Sequence, residues 1–186
     1  MSWSGRLLVA TPELVEPTFA RTVVLLLQHS DDDGALGVVV NRPSGTPVGE
    51  VLPAWQDVVD PPCDVFVGGP VQPEAAICLG LSRTGSGPSP HLAPLPGDPL
   101  LTTVDLDADP LLVQPLLRGL RVFAGCAGWS PGQLEGEVEE GSWWVLDSLP
   151  GDAFVPAPEL LWRQVLRRQR GRLALYSTWP DDVAAD

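Results

Sequence analysis

Arg21-Thr-Val-Val-Leu-Leu-Leu-Gln28, Ser30-Asp-Asp-Asp-Gly34 and Leu36-Gly-Val-Val-Val-Asn41-Arg42-Pro43 follow one another in the first quarter of the chain. The first run is apolar and β-branched throughout, as expected of a strand buried on both faces. The acidic cluster is a turn, with Gly34 free to take positive φ. The third run is the returning strand, and Pro43 ends it because proline cannot donate to the ladder. Residues 21–28 and 36–41 are therefore predicted to pair antiparallel.

Downstream, Asp64–Val67 and Ala75–Leu81 read as a second strand pair about the turn Gly68-Gly69-Pro70. Residues 82–99 contain five prolines with Gly and Ser between them, and read as an extended loop. Strands are expected at Leu100–Leu106, Arg121–Ala124, Trp143–Leu146 and Leu173–Trp179. Asp109-Pro110 starts a helix as cap plus first-turn proline, and Pro115 keeps that helix short. Ser130-Pro-Gly-Gln133 fits a capping box. A last helix spans about 158–168, with Leu161/Val165 and Trp162/Leu166 at i,i+4 spacing. Asp181–Asp186 reads as a frayed acidic tail. Paired strands and few helices favour an α+β domain over alternating βαβ winding, and 186 residues suffice for one domain, 1–186.

Composition excludes several functions. The charge sum is −13, which disfavours phosphate backbones and anionic membranes. All eleven basic residues are Arg; without Lys, Schiff-base chemistry and a Walker-type loop are ruled out. Leu7–Ala10 is too short for a signal-peptide core, and no apolar run approaches a membrane span. Three cysteines make a sparse, odd set, so a reduced cytoplasm is the expected compartment.

Gly128-Trp-Ser-Pro-Gly132 matches the nucleophile-elbow string. The elbow needs the N–H after its serine, and that residue is Pro131; both histidines, His29 and His91, lie upstream. The cap reading replaces it, and no catalytic residue is assigned. Asp31-Asp-Asp-Gly34 lacks the carboxylate that closes a calcium loop, and no Cys/His spacing fits zinc, so neither metal nor cofactor is expected. Five of the eleven arginines fall between Arg163 and Arg172, a helix C-terminus and solvated face before a site for an acidic partner. The seven tryptophans are read mostly as core.

Four blocks resemble the YqgE/AlgH family of bacterial proteins. They are Ala10-Thr-Pro-Glu-Leu with Phe19-Ala-Arg-Thr-Val-Val-Leu-Leu26, Gly34-Ala-Leu-Gly-Val-Val-Val-Asn-Arg-Pro43, Val67-Gly-Gly-Pro-Val71, and Ala127-Gly-Trp-Ser-Pro-Gly-Gln-Leu-Glu135. Cys126 and Ser130 depart from the family's commoner Tyr and Gly. The resemblance implies an α+β fold of coiled mixed sheets with a few flanking helices. It also implies a label, transcriptional regulator, attached to a family whose biochemical activity is not established. The charge and the lack of a basic recognition helix argue against direct DNA binding.

The reading that follows is a non-catalytic binding or regulatory protein. Its ligand-binding candidates are Arg21, Asn41, Arg42, Gly68, Gly69, Gln133, Glu135 and Glu137. The strand end at Asn41-Arg42, the Gly68-Gly69 turn and the start of the helix after Ser130 are expected to converge on a small anionic or carbonyl-bearing ligand, or on a protein partner, with homo-oligomerisation open. The alternatives are a hydrolase or transferase acting on a small anionic metabolite, and a purely structural role for the same polar residues.

Overall fold

The computed structural model describes residues 2–84 and 87–180. Its elements are β1 (Leu7–Ala10), β2 (Val23–Ser30), β3 (Gly34–Val39), β4 (Pro43–Pro47), α1 (Val48–Val51), β5 (Asp64–Val67), β6 (Val71–Ser82), β7 (Leu92–Leu95), β8 (Asp98–Val104), α2 (Pro110–Val113), β9 (Leu117–Trp129), α3 (Gln133–Glu139), β10 (Trp143–Leu146), α4 (Leu161–Arg167) and α5 (Arg172–Leu175). Ten strands form one mixed, open sheet of order β10-β1-β2-β3-β9-β6-β8-β7, with β4 on β5 and β5 on β9. The fold is α+β.

The β2–β3 pair is antiparallel as predicted, with Val24↔Val39 and Leu25↔Val38 and an irregularity between Leu26 and Gln28. Period-2 alternation explains the unbroken apolar runs. Leu7, Val9, Leu25, Leu27 and Val38 enter one core, covered by Leu161, Trp162, Val165 and Leu166 of α4. Leu8, Ala10, Val24, Leu26 and Val39 enter the opposite core, where Leu134 and Val138 of α3 pack. Each fully buried Leu or Val contributes about 1.5–3 kcal/mol, so both faces hold the sheet.

Three expectations need correction. First, β5 and β6 do not form a hairpin. β5 runs parallel to β9 (Phe66↔Phe123) while β6 pairs antiparallel along its other edge (Ile77↔Phe123). The chain crosses over β9 at Gly68-Gly69. A Cβ at Gly69, where φ is +153°, would lie 2.2 Å from the Cys126 carbonyl oxygen, and one at Gly68 2.2 Å from that of Gly125. These glycines are there because two backbones touch. Second, the described part of 82–99 is not a loose loop. β7 folds back on β8, and Leu95 is buried in the main core; Pro94 is tolerated because β7 is an edge strand. Third, 173–179 is not a strand. α5 and a 3-10 turn, Tyr176–Thr178, occupy it, so its apolar residues pack by helical spacing onto the α4 core. The Asp181–Asp186 tail lies outside the described residues.

Candidate functional site

Two of the predicted residues, Asn41 and Arg42, hold the loop between β1 and β2. The Arg42 guanidinium donates to the carbonyls of Thr18 and Ala20, the latter at 2.9 Å. Burial lowers its pKa, with Glu16 near enough to oppose that shift. The Asn41 side chain donates to the Arg21 carbonyl at 2.9 Å and accepts from the Val23 amide at 2.9 Å. Arg21 lies over the Trp162 ring, 4.2 Å from its centroid, and donates to the Pro180 carbonyl. The Gly68 amide donates to the Ala124 carbonyl at 2.8 Å, and the Gly68 carbonyl accepts from Val39 at 2.8 Å. Gly68 and Gly69 are both buried, so the crossing offers a ligand no Gly68 amide.

α3 splits its acids between two tasks. Glu135 accepts a 2.8 Å bond from His29 Nε2. His29 Nδ1 accepts the Trp3 amide at 3.1 Å, which assigns the ring proton to Nε2. The Glu135 carboxyl is held below its ordinary pKa, mainly by the amide of its own residue and then by His29. Glu137 turns to the other side. Its Oε2 accepts both indole N–H groups of Trp129 and Trp143, each at 2.9 Å, and its Oε1 accepts the Gln133 amide at 2.9 Å. Gln133 Oε1 in turn accepts the Ser130 N–H at 3.1 Å. That is the glutamine half of the predicted capping box. The serine half is missing: α3 begins at Gln133 behind Gly132, with no side-chain cap.

A cavity of about 320 Å³ lies between α3, the β1–β2 loop and the residues just after the glycine crossing. Leu14, Glu16 and Phe19 form one wall, Pro70 and Val71 another, and Gln133, Glu137, Trp129 and Trp143 the floor. Phe19 packs against both indoles, with centroids 6.3 and 5.5 Å away, and the two indoles meet edge-on at 6.0 Å. The structure thus brings Gln133 and Glu137 together beside the Gly68-Gly69 crossing and under the loop that Asn41 and Arg42 hold. Arg21 serves the opposite core through Trp162, and Glu135 faces His29. A second, apolar cavity of about 440 Å³ between β4 and β6 is lined by none of the predicted residues.

Sequence reasoning missed Glu16 and Phe19 as cavity residues and the pairing of Glu137 with two tryptophans. It also missed Arg121, 1% exposed, which donates to the carbonyls of Pro61, Ala153 and Val155 and lies over Phe66; burial pushes its pKa down to about 10. A single charged residue within the apolar run Leu120–Ala124 was the available signal.

A family model described as AlgH-like (DUF179) matches residues 7–174. A UPF0301 protein of Streptomyces coelicolor is 52% identical over 184 residues, covering 97% of this chain and 94% of that protein. One from Mycobacterium leprae is 46% identical over 181 residues, covering 97% and 89%. The crystal structure of DIP2367 from Corynebacterium diphtheriae superposes with a TM-score of 0.88 at 37% identity, covering 94% of this chain and 91% of that one. The solution structure of AlgH from Pseudomonas aeruginosa, a UPF0301 protein, gives 0.66 at 29%, covering 98% and 96%. With its blocks, its sheet and its full-length relatives in agreement, the chain belongs to the AlgH-like, or UPF0301, family.

Proposed function

We propose that this is a non-catalytic binding or regulatory protein of the cytoplasm whose site is the Glu137 cavity, and that the site takes a cationic group. One observation carries the reading. Glu137 is satisfied entirely by uncharged donors, two indoles and an amide, so its negative charge is oriented but not neutralised. Three of roughly four acceptor positions on a carboxylate are filled, leaving one for an incoming N–H donor. Glu16 lines the same cavity, no Lys, Arg or His does, and the aromatic floor suits an organic cation.

The small anion expected from Arg21, Arg42 and the glycines finds less support, because both guanidiniums serve backbone carbonyls. No observation favours a hydrolase or transferase. Among the described residues no helix is long and apolar enough to cross a membrane. Cys63, Cys78 and Cys126 are free thiols, which supports the cytoplasmic assignment. The net charge of −13 supports a partner other than DNA.

Calorimetric titration with n-propylguanidinium and, separately, propionate tests the reading. The cation should bind and propionate should not. Glu16→Gln should weaken binding at least about tenfold, or about 1.4 kcal/mol. Equal or tighter binding of propionate would refute it.

A further inference from the structure

β10 sends its two tryptophans to opposite faces of the sheet, as period-2 alternation requires. Trp143 enters the core beside α3, and Trp144 packs against the core that α4 covers. On that second face Trp144 meets Tyr176 at 4.9 Å with the rings inclined by 49°, and Tyr176 meets Trp179 at 5.6 Å and 36°. The three rings wall a cavity of about 300 Å³, with Thr11, Glu13 and Gly141 beside them. Trp144 and Tyr176 are half-buried. Glu13 and Trp179 are exposed, so the cavity meets solvent at these two side chains.

Both sides of this cavity are fixed by hydrogen bonds that leave the rings alone. Thr11 Oγ1 donates to the Gly141 carbonyl at 2.7 Å, and the Thr11 N–H donates to Ser142 O at 3.0 Å. Across from them, Ser177 Oγ donates to Ala174 O at 2.7 Å, Arg163 donates to Ser177 O at 2.7 Å, and the Trp179 N–H donates to Tyr176 O at 2.9 Å. These bonds also occupy acceptors. Thr11 O takes the Leu14 N–H at 3.1 Å, so the carbonyls of Thr11, Gly141 and Tyr176 are all engaged. Among the described residues no hydrogen bond or ion pair reaches the Glu13 carboxylate, and no basic side chain lines the cavity. Glu13 Oε2 lies 3.9 Å from the position that a Cβ on Gly141 would take, so its charge stands at the cavity wall.

The geometry points to a binding site for a quaternary ammonium group, the trimethylammonium head of a free small molecule, held by Trp144, Tyr176 and Trp179 with Glu13 as its counter-charge. A primary ammonium or a guanidinium brings several N–H donors. A wall of three rings with one free carboxylate would leave most of them stripped of water and unpaired. A quaternary ammonium has no N–H to satisfy, and its charge, spread over the methyl groups, is attracted to ring faces. The volume is at the small end for ligand pockets, which suits a head group rather than a long chain. The net charge of −13 favours the approach of a cation. This site does not rest on the reading of the Glu137 cavity, which shares none of its lining residues and where a carboxylate position awaits an N–H donor.

The probes are choline, its uncharged carbon isostere neohexyl alcohol, and ethanolamine, each titrated into the full chain and followed by NMR at the indole N–H resonances. Choline should move the Trp144 and Trp179 resonances along one saturable curve. The isostere has the same shape and no charge, and ethanolamine has the charge with N–H donors; each should bind at least about tenfold more weakly. Glu13→Gln and Trp179→Ala, both at exposed positions, should each weaken choline at least about tenfold and leave the unfolding midpoint unchanged. Equal binding of the isostere or of ethanolamine, choline saturation with Trp144 and Trp179 unmoved, or full binding by either variant would overturn the inference. Acetylated, amidated Nε-trimethyllysine carries the same head on a polypeptide backbone. Binding of it at least about tenfold tighter than choline would overturn the assignment to a free small molecule. The Glu137 cavity reports through Trp129 and Trp143 with n-propylguanidinium, so either site can fail while the other stands.

Discussion

Replacing Glu137 by alanine removes the single acceptor shared by two indoles that are almost wholly buried, Trp129 at 6% and Trp143 at 2% exposure. A hydrogen bond to a charged group contributes roughly 1.5–3 kcal/mol, and a buried donor left without a partner forfeits its hydration as well. The Gln133 bond is exposed and adds little. Glu137→Ala should therefore destabilise the fold by about 3–5 kcal/mol, a large part of the roughly 5–15 kcal/mol that a domain has. Glu137→Gln keeps one acceptor and should cost about half as much. Urea unfolding followed by tryptophan fluorescence gives both values. A double-mutant cycle with Trp143→Phe, which deletes the N–H and keeps an aromatic ring, should return a coupling of about 1.5–3 kcal/mol. A loss below about 1 kcal/mol for Glu137→Ala, or no coupling to Trp143, would refute the claim that this carboxylate organises the floor of the cavity.

Arg42→Ala strips donors from the carbonyls of Thr18 and Ala20; a loss of about 1–3 kcal/mol and faster amide exchange across residues 16–22 are expected, and unchanged exchange there would detach Arg42 from the loop. Glu135 has a depressed pKa in the folded state, so its stabilising contribution is complete above the unfolded value near 4.5 and is lost as pH falls through the lower folded value. Glu135→Gln should accordingly flatten the acid limb of stability against pH; an unchanged acid limb would contradict the stabilisation of the ionised Glu135 carboxylate by its own amide and His29. Ser130→Ala should change stability by no more than about 0.5 kcal/mol, because it is the Ser130 amide and not its hydroxyl that Gln133 engages.

The sheet was legible where chemistry is local. The β2–β3 pairing follows from two apolar runs and an acidic turn, and the α2 start from Asp109, whose carboxylate accepts the Leu111 amide at 3.0 Å. The crossing at Gly68-Gly69 was not, because a Gly-Gly-Pro between two apolar runs reads the same whether the strands pair with each other or flank a third. The residue that separates them, Phe123, lies more than fifty positions downstream. The segment 173–179 misled for a related reason: its apolar residues satisfy either period over so few positions, and contact with the α4 core decides. At the site, residue types were legible and partners were not. Asn41, Arg42, Gln133 and Glu137 are all engaged, yet which acid faces the cavity depends on helix phase, and a one-residue error would exchange Glu137 for the outward positions of α3.

The central claim is that Glu137 presents an oriented, unneutralised carboxylate to a cationic group. The indole N–H resonances of Trp129 and Trp143 report on it directly, because both donate to the oxygen in question. Titration with n-propylguanidinium should move both resonances together along one saturable curve, and propionate should move neither. Shifts of both resonances with propionate alone, or saturation by the cation with no change at either indole, would contradict the account.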